Sequence, residues 1–409
     1  MEWVGGLGGN AYLYDMKRIV IIAVLMCALG TICCAAGIKV DNRLPAGNIV
    51  VEKFSGDTVY VKPDLTGNAK EWFYWAMRVR GAQGRTLVFQ FPKKYVGARG
   101  AVVSKDRGKS FFFAGGPASD SFTWTFGPKD KDIYFYECHP YLPENWTRFL
   151  RTLDRSMYRT ATLSRSRSGR KVPMASFGRI DGNAEYRVVL TARHHCSESM
   201  ASWVMEGIAQ ASCAPDETGQ WLRDNVEITM VPFVDYDGVI NGDQGKNRDP
   251  HDHNRDYFVF LYPETRAVAD LFSEKRPQAI LDIHCPWISG QKYSAEILHC
   301  PLSDPSLVPD EAAEERFAAL VEQHAQGLPY KSSNDVPFSG TSSSNYDFSA
   351  GTTCRNWAMT NLTDGSLHLC RCFEIPFANA QGTEVNPDSC RTFGCSIAAA
   401  LAAWFTGRL

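Results

Sequence analysis

A chain of 409 residues is too long for one ordinary hydrophobic core, so two domains are expected. Charge nearly balances, with 43 basic against 45 acidic residues, a formal net charge of −2 and no long basic run, which leaves nucleic-acid binding without electrostatic support. Aromatic residues reach 12%, which excludes a disordered chain.

From Met16 the chain reads MKRIVIIAVLMCALGTICCAAG. Two cations, a short apolar run and small residues make a secretory signal, with cleavage expected near Ala36 and residues 1–15 upstream of the true start. The apolar run is short for a membrane span, so membrane attachment is expected only if this segment stays uncleaved. The expected location is periplasmic or extracellular. Three of the thirteen cysteines (Cys27, Cys33 and Cys34) fall in this segment, leaving an even ten in an exported chain. That count predicts structural disulfides, with Cys390–Cys395 and Cys196–Cys285 as candidate pairs.

Residues 40–155 read as an all-β sandwich domain. GNIVVEKF, DTVYVKP, EWFYWAMRVRG, RTLVFQF and DIYFYECHPY are rich in β-branched and aromatic residues, and turn formers separate them. The close spacing predicts hairpins and antiparallel sheets. Residues 156–409 read as α/β. YRVVLTAR, VEITMVPFV, QAILDIHC and LHLCRCFEIPF are strands; SMASWVMEGIAQAS, ETRAVADLFSEK, DEAAEERFAALVEQHAQ and DSCRTFGCSIAAALAAWF are helices. Alternation of this kind predicts a largely parallel sheet flanked by helices, with the site at the carboxyl ends of the strands. SRSRSGRK, at 164–171, reads as a solvated loop.

Strand YRVVLTAR delivers His194 and His195, with Glu198 just beyond. Adjacent histidines on an extended chain point to opposite faces, so one site takes only one of them. His195 and Glu198 can reach one cation from a tight turn, and His284, closing an apolar strand, can supply a third ligand. Two histidines and a glutamate with an open position are the ligand set of hydrolytic zinc. Glu374 ends another apolar strand, where a carboxylate is costly unless paired or working. Each signal has a plainer reading: a histidine that ends a strand is commonly a hydrogen-bonded structural residue. The tripeptide HDH at 251–253 is a further metal-like pattern, but it sits in a Gly/Asn/Asp-rich loop.

ARHHCSES resembles the AR-x-HPGE-[ST] motif of zinc carboxypeptidases, with His195 at the ligand position. VDYDGVINGDQGKNRDPHDHNRDY is similar to that family's NPDGV…NR segment, and LDIHC and CFEIP resemble its second-histidine and catalytic-glutamate strands. EWFYWAMRVRGAQGRTLVFQF and YFYECHPYLPENWTRFL look like the amino-terminal β-domain of the cytosolic-carboxypeptidase branch. The resemblance spans about 45–405. It implies one zinc per chain on His195, Glu198 and His284, acid/base work by Glu374, and recognition of a peptide or protein C-terminus by Asn254 and Arg255. An oxyanion-stabilising cation would be Lys246 or Arg248, with Arg248 favoured. Arg355 is the candidate for a preference for acidic chain ends, and Tyr346 the candidate active-site tyrosine. His194 would be a pocket residue or stand behind the metal. Cys196 and Cys285 depart from the family pattern.

The fold class implied is an α/β carboxypeptidase domain preceded by an all-β sandwich, and the implied function is a zinc metallocarboxypeptidase. Two other reactions suit the same scaffold: hydrolysis of peptidoglycan stem peptides and deacylation of N-acyl amino acids. An inactive zinc-binding protein is the remaining reading. Oligomeric state, natural substrate and disulfide connectivity are not legible.

Overall fold

The computed structural model describes residues 34–35, 37–68, 72–288, 296–299, 310–335 and 352–407. Two sheets form its N-terminal part. One runs in the order Cys34–Ala35, Ile38–Asp41, Ala76–Arg80, Asp132–Tyr136, Val102–Ser104, Phe112–Phe113, antiparallel throughout. The other runs Val50–Ser55, Thr58–Lys62, Thr86–Gln90, Ser121–Thr125. Its central pair is parallel, with Thr58 opposite Val88, so the expectation of antiparallel pairing holds except there. Alternate apolar residues such as Val59, Val61, Trp75, Met77, Leu87, Phe89 and Phe135 enter the core between the sheets. Cys34 and Ala35, placed by the sequence in a segment to be cleaved, pair with Lys39 and Ile38 in this part of the fold.

The second part is built on a seven-stranded sheet: β1 (Tyr158–Arg165), β2 (Lys171–Gly178), β3 (Tyr186–Ala192), β4 (Val226–Val231), β5 (Ala279–His284), β6 (Leu298–His299) and β7 (Leu369–Glu374). Its order is β1-β2-β4-β3-β5-β7-β6. The central strands β4, β3, β5 and β7 are parallel, and β1, β2 and β6 add antiparallel edges. The expected loop at 164–171 is a tighter feature, since β1 and β2 continue to Arg165 and from Lys171 around a short turn. Ser166 in that turn is buried because its hydroxyl donates to Asp237 Oδ1 at 2.8 Å. The helices of this part include α1 (Ser199–Ser212), α2 (Pro263–Lys275), α3 (Glu311–His324), α4 (Cys354–Asn361) and α5 (Pro387–Thr406). None is long and apolar enough to cross a membrane.

Helix α1 is buried on nearly every face, which exceeds the single apolar stripe its spacing suggests. The reason is its crossing with α5. A Cβ on Gly207 would lie 1.9 Å from the Arg391 carbonyl oxygen, and one on Gly394 would lie 2.2 Å from that of Val204. The two backbones therefore touch where neither carries a side chain. Glu206 reinforces the crossing from the centre of α1. It accepts from Tyr141 Oη and from Arg391 Nε, each at 2.7 Å, so the N-terminal part, α1 and α5 share one carboxylate. A continuous apolar cluster runs from the sandwich into the α/β core.

Where the chain leaves the sandwich, Glu137 is buried and neither of its carboxyl oxygens has a hydrogen-bond partner. Burial pushes its pKa up to about 8, with the neighbouring Cys138 thiol pulling slightly the other way. An unfolded glutamate ionises near ~4.3, so between these values the folded chain holds a proton that the unfolded chain releases. The stability contributed by the neutral form is thus full below the unfolded pKa and is lost as pH rises through the folded one, by at most ~1.4 kcal/mol per pH unit. Denaturant unfolding of Glu137→Gln should show its stability relative to the parent rising between pH 5 and pH 8. A difference that does not change with pH would show that this carboxyl is ionised and paired.

Candidate metal centre

Three parallel strands end side by side. In register, Ala192 on β3 lies opposite Ile283 on β5, and His284 on β5 lies opposite Glu374 on β7. After β3, Arg193 adopts a left-handed backbone (φ +63) and turns the chain sharply. The buried Arg193 guanidinium holds this turn by donating to the carbonyl oxygens of Cys196 and Tyr141. Glu198 closes the turn, its N–H donating to His195 O at 3.1 Å, and stands immediately before α1.

His195, Glu198 and His284 meet in this space, each 3% exposed. Nδ1 of His195 lies 2.7 Å from Glu198 Oε1, and Nδ1 of His284 lies 2.7 Å from Glu198 Oε2. One ligand atom from each residue falls within 4.8 Å of the others. Burial alone would raise the Glu198 carboxyl, but the two imidazoles outweigh it and hold it below the usual carboxylate range. Two nitrogens and one oxygen suit zinc. The rear nitrogens are also backed by carboxylates: His195 Nε2 lies 3.3 Å from Asp252, and His284 Nε2 lies 2.9 Å from Asp282. Such backing fixes the ring of a metal-binding histidine.

Asp252 and Asp282 were not singled out from the sequence. A signal existed for Asp282, a carboxylate inside the apolar run AILDIH, which is the argument that drew notice to Glu374. Asp252 lies in the HDH tripeptide, whose histidines go elsewhere. His253 stacks on Tyr262 with ring centroids 3.7 Å apart, and His251 Nε2 meets Arg255 O at 2.6 Å. Among the described residues, both potential metal clusters include His284, and neither includes this tripeptide's histidines.

Glu374 is half-buried, and its Oε2 has no hydrogen-bond partner. Burial raises its carboxyl, opposed by the charges of His284 and Lys246. Lys246 also lowers Asp252, so its ammonium acts on both sides of the cluster. Gly245 brings it there. With φ +83 the loop passes so close to the ligand turn that a Cβ would lie 2.5 Å from Cys196 N. Arg248, the favoured oxyanion cation, is engaged otherwise: it pairs with Asp235 and Asp243, neither of which belongs to the metal cluster.

Asn254 is buried, its Oδ1 accepting from Cys354 N at 3.0 Å and its Nδ2 lying 3.2 Å from His284 Nε2. Arg255 is half-buried and donates to Asn254 O at 2.7 Å. Arg355 is buried on α4, with Nε and Nη2 donating to the Cys370 carbonyl on β7. Tyr346 lies outside the described residues. A cavity of about 740 Å³, lined by Arg155, Arg159, Arg179 and Arg223 among others, opens where β2 ends and β4 begins, away from the cluster. The chemistry of the donor set locates the site better than cavity size does.

Residues 144–257 match the family model described as zinc carboxypeptidase. Over these residues the chain is similar to the zinc carboxypeptidases. It is 31% identical over 183 residues to cytosolic carboxypeptidase 2 of Xenopus tropicalis, covering 40% of this chain and 19% of that protein. To human cytosolic carboxypeptidase 1 it is 26% identical over 181 residues, covering 40% and 14%. The chain thus spans about a fifth or less of the length of these relatives. Among solved structures, a metallo-carboxypeptidase from Burkholderia cenocepacia superposes with a TM-score of 0.74 at 21% identity, covering 90% of this chain and 99% of that one. A metallo-carboxypeptidase from Pseudomonas aeruginosa, in complex with (2-guanidinoethylmercapto)succinic acid, gives 0.74 at 20% identity, with 90% and 99% covered. These likenesses establish the fold.

Two expectations are corrected here. Export is overturned by the relatives, which are cytosolic carboxypeptidases; most of the segment expected to direct it lies outside the described residues. Disulfides are not formed among the described residues, where nine cysteines, Cys196, Cys285, Cys390 and Cys395 among them, are free thiols. Cys390 and Cys395 both lie inside α5, and five helical residues set side chains ~140° apart. Cys196 Sγ instead donates to Asp243 O at 3.0 Å.

Metal analysis of the purified protein should find one zinc per chain. His195→Ala, Glu198→Ala or His284→Ala should abolish zinc retention after dialysis, while His194→Ala keeps the ion. Full retention by His195→Ala would show that the ligand set is different.

Proposed function

We propose that the chain removes the C-terminal residue of peptides or proteins as a zinc-dependent carboxypeptidase. The observation that carries this reading is the placement of Glu374, in register with His284 and with one carboxyl oxygen unpartnered, beside the His195–Glu198–His284 cluster. Zinc, when bound, polarises the scissile carbonyl and makes water a nucleophile near neutral pH. Glu374, its pKa lifted by burial, takes the proton of the attacking water and passes it to the leaving amine. The Lys246 ammonium faces the negative charge that develops on the carbonyl oxygen. Cys354 N–H holds the Asn254 carboxamide oxygen, which leaves the amide nitrogen as a donor, so recognition of the substrate's terminal carboxylate falls to Asn254 and to Arg255, whose planar guanidinium suits a bidentate grip. A preference for acidic last residues is the finer part of this proposal. It rests on Arg355, a buried cation against the strand that ends in Glu374.

Glu374→Gln keeps shape and loses the base, so zinc content should be unchanged while kcat falls by at least ~100-fold. Normal turnover by this variant would assign the proton to another group.

Peptides with free and amidated C-termini test the substrate class. Arg255→Ala should keep its zinc and lose ~2–5 kcal/mol of transition-state stabilisation on a free peptide. Amidation should cost the parent a similar amount and the variant little more, because both changes remove one interaction. Equal cleavage of free and amidated peptides by the parent would replace the exopeptidase reading with a stem-peptide endopeptidase or a small-molecule deacylase. A panel of peptides differing only in the last residue reads out the acidic preference.

A further inference from the structure

The second histidine of the HH pair has its own buried partners. His194 is fully buried, its ring centroid 5.7 Å from that of His284 and tilted 21° from it. Between the two rings stands Asp282. Its Oδ2 faces His284 Nε2 at 2.9 Å, and its Oδ1 accepts from Thr191 Oγ1 at 2.8 Å and lies 3.0 Å from His194 Nδ1. On the far side of the ring, His194 Nε2 meets Tyr257 Oη at 2.7 Å. Tyr257, Asp282 and Thr191 are each at most 1% exposed.

A metal on the front nitrogen of His284 decides where the protons behind it must reside. A cation on Nδ1 of His284 requires the ring hydrogen on Nε2, where Asp282 Oδ2 at 2.9 Å accepts it, and Nδ1 of His194 lies 3.0 Å from the other oxygen of the same carboxylate. His194 Nε2 is then left as an acceptor, which the Tyr257 hydroxyl satisfies. The consequence at the other end is specific. With its proton on Nε2, His284 would offer a cation the lone pair of Nδ1, the nitrogen on the Glu198 side of the ring. The opposite tautomer would place a hydrogen there and block coordination.

We propose that Tyr257, His194 and Asp282 form a buried positioning chain that holds His284 in its metal-binding tautomer and ring orientation. The inference rests on the reading of His195, Glu198 and His284 as zinc ligands. His194 supplies what a lone aspartate lacks, a ring nitrogen 3.0 Å from the second carboxyl oxygen that aims Asp282 at the ligand. The same three groups, His194, Asp282 and His284, also fall within 4.8 Å of one another. A second cation there would need His284 to bind metal through both ring nitrogens and Asp282 to give up its hydroxyl and imidazole donors, so the positioning role is favoured.

Zinc affinity, measured by competition with a chromophoric chelator on the full chain, tests this. His194→Leu, Tyr257→Phe and Asp282→Asn should each weaken zinc binding by ~10–100-fold, the range for residues behind a metal ligand. His194→Asn restores an N–H near the position of Nδ1 and should recover most of the affinity lost in His194→Leu. Unfolding of the zinc-free proteins is measured alongside, because a merely structural role would lower their stability without separating Asn from Leu in affinity. Tyr257→Phe, which deletes one oxygen from the interior, covers the case in which His194→Leu does not fold. Parent-like affinity in all three variants, or no recovery by His194→Asn, would overturn the inference alone. Two zinc ions per parent chain, one of them lost in His194→Leu, would replace it with a second metal site. A parent that binds no zinc would overturn the ligand reading and the inference together.

Discussion

Charge kept out of water is the constraint around which this protein is arranged. Glu198 sits between two imidazoles in a space from which solvent is nearly excluded, and an ionised carboxylate there is tolerable only because opposite or polarisable groups surround it. Each imidazole leans in turn on a further carboxylate, Asp252 or Asp282, and Asp282 on a hydroxyl and a third imidazole. The parallel strand ends bring these groups together, the left-handed turn at Arg193 aims two of them, and the buried Arg193 guanidinium stiffens that turn. The surrounding fold is the scaffold that makes so much buried charge stable.

How much of this was legible in the sequence depended on whether the signal was local. Strands β3, β5 and β7 show as apolar runs, and His195, Glu198, His284 and Glu374 stand out because polar residues end those runs. What escaped notice depends on partners distant along the chain. Asp282 reads as one charge in a strand until Thr191 and His194, about ninety residues earlier, are seen beside it. Lys246 and Arg248 cannot be ranked by spacing, and the pairing of the arginine with Asp235 and Asp243 shows only in the fold. The parallel pairing of Thr58–Lys62 with Thr86–Gln90 is equally invisible, because each strand taken alone would pair either way.

The cysteines show how a compartment argument can mislead. An even count is evidence for disulfides only once export is granted, and the apolar segment after Met16 made both ideas plausible together. In the fold, the thiols are mostly small buried apolar groups, the commonest use of free cysteine. Cys196 and Cys285 follow His195 and His284, yet burial pushes both thiols well up, and the Cys196 thiol is turned to the Asp243 carbonyl.

The crossing of α1 and α5 at Gly207 and Gly394 gives the site a place in the order of synthesis. Glu198 stands at the start of α1, but α1 is seated by a helix about 180 residues later, through the glycine contact and through Arg391 on Glu206. A nascent chain that has emerged only through β7 already holds all three ligands and Glu374, yet lacks the surface that fixes the helix carrying one of them. Capture of the ion in its final geometry therefore belongs to the completed chain. A ribosome-bound fragment would expose the same donors in a looser arrangement, open to whichever metal arrives first.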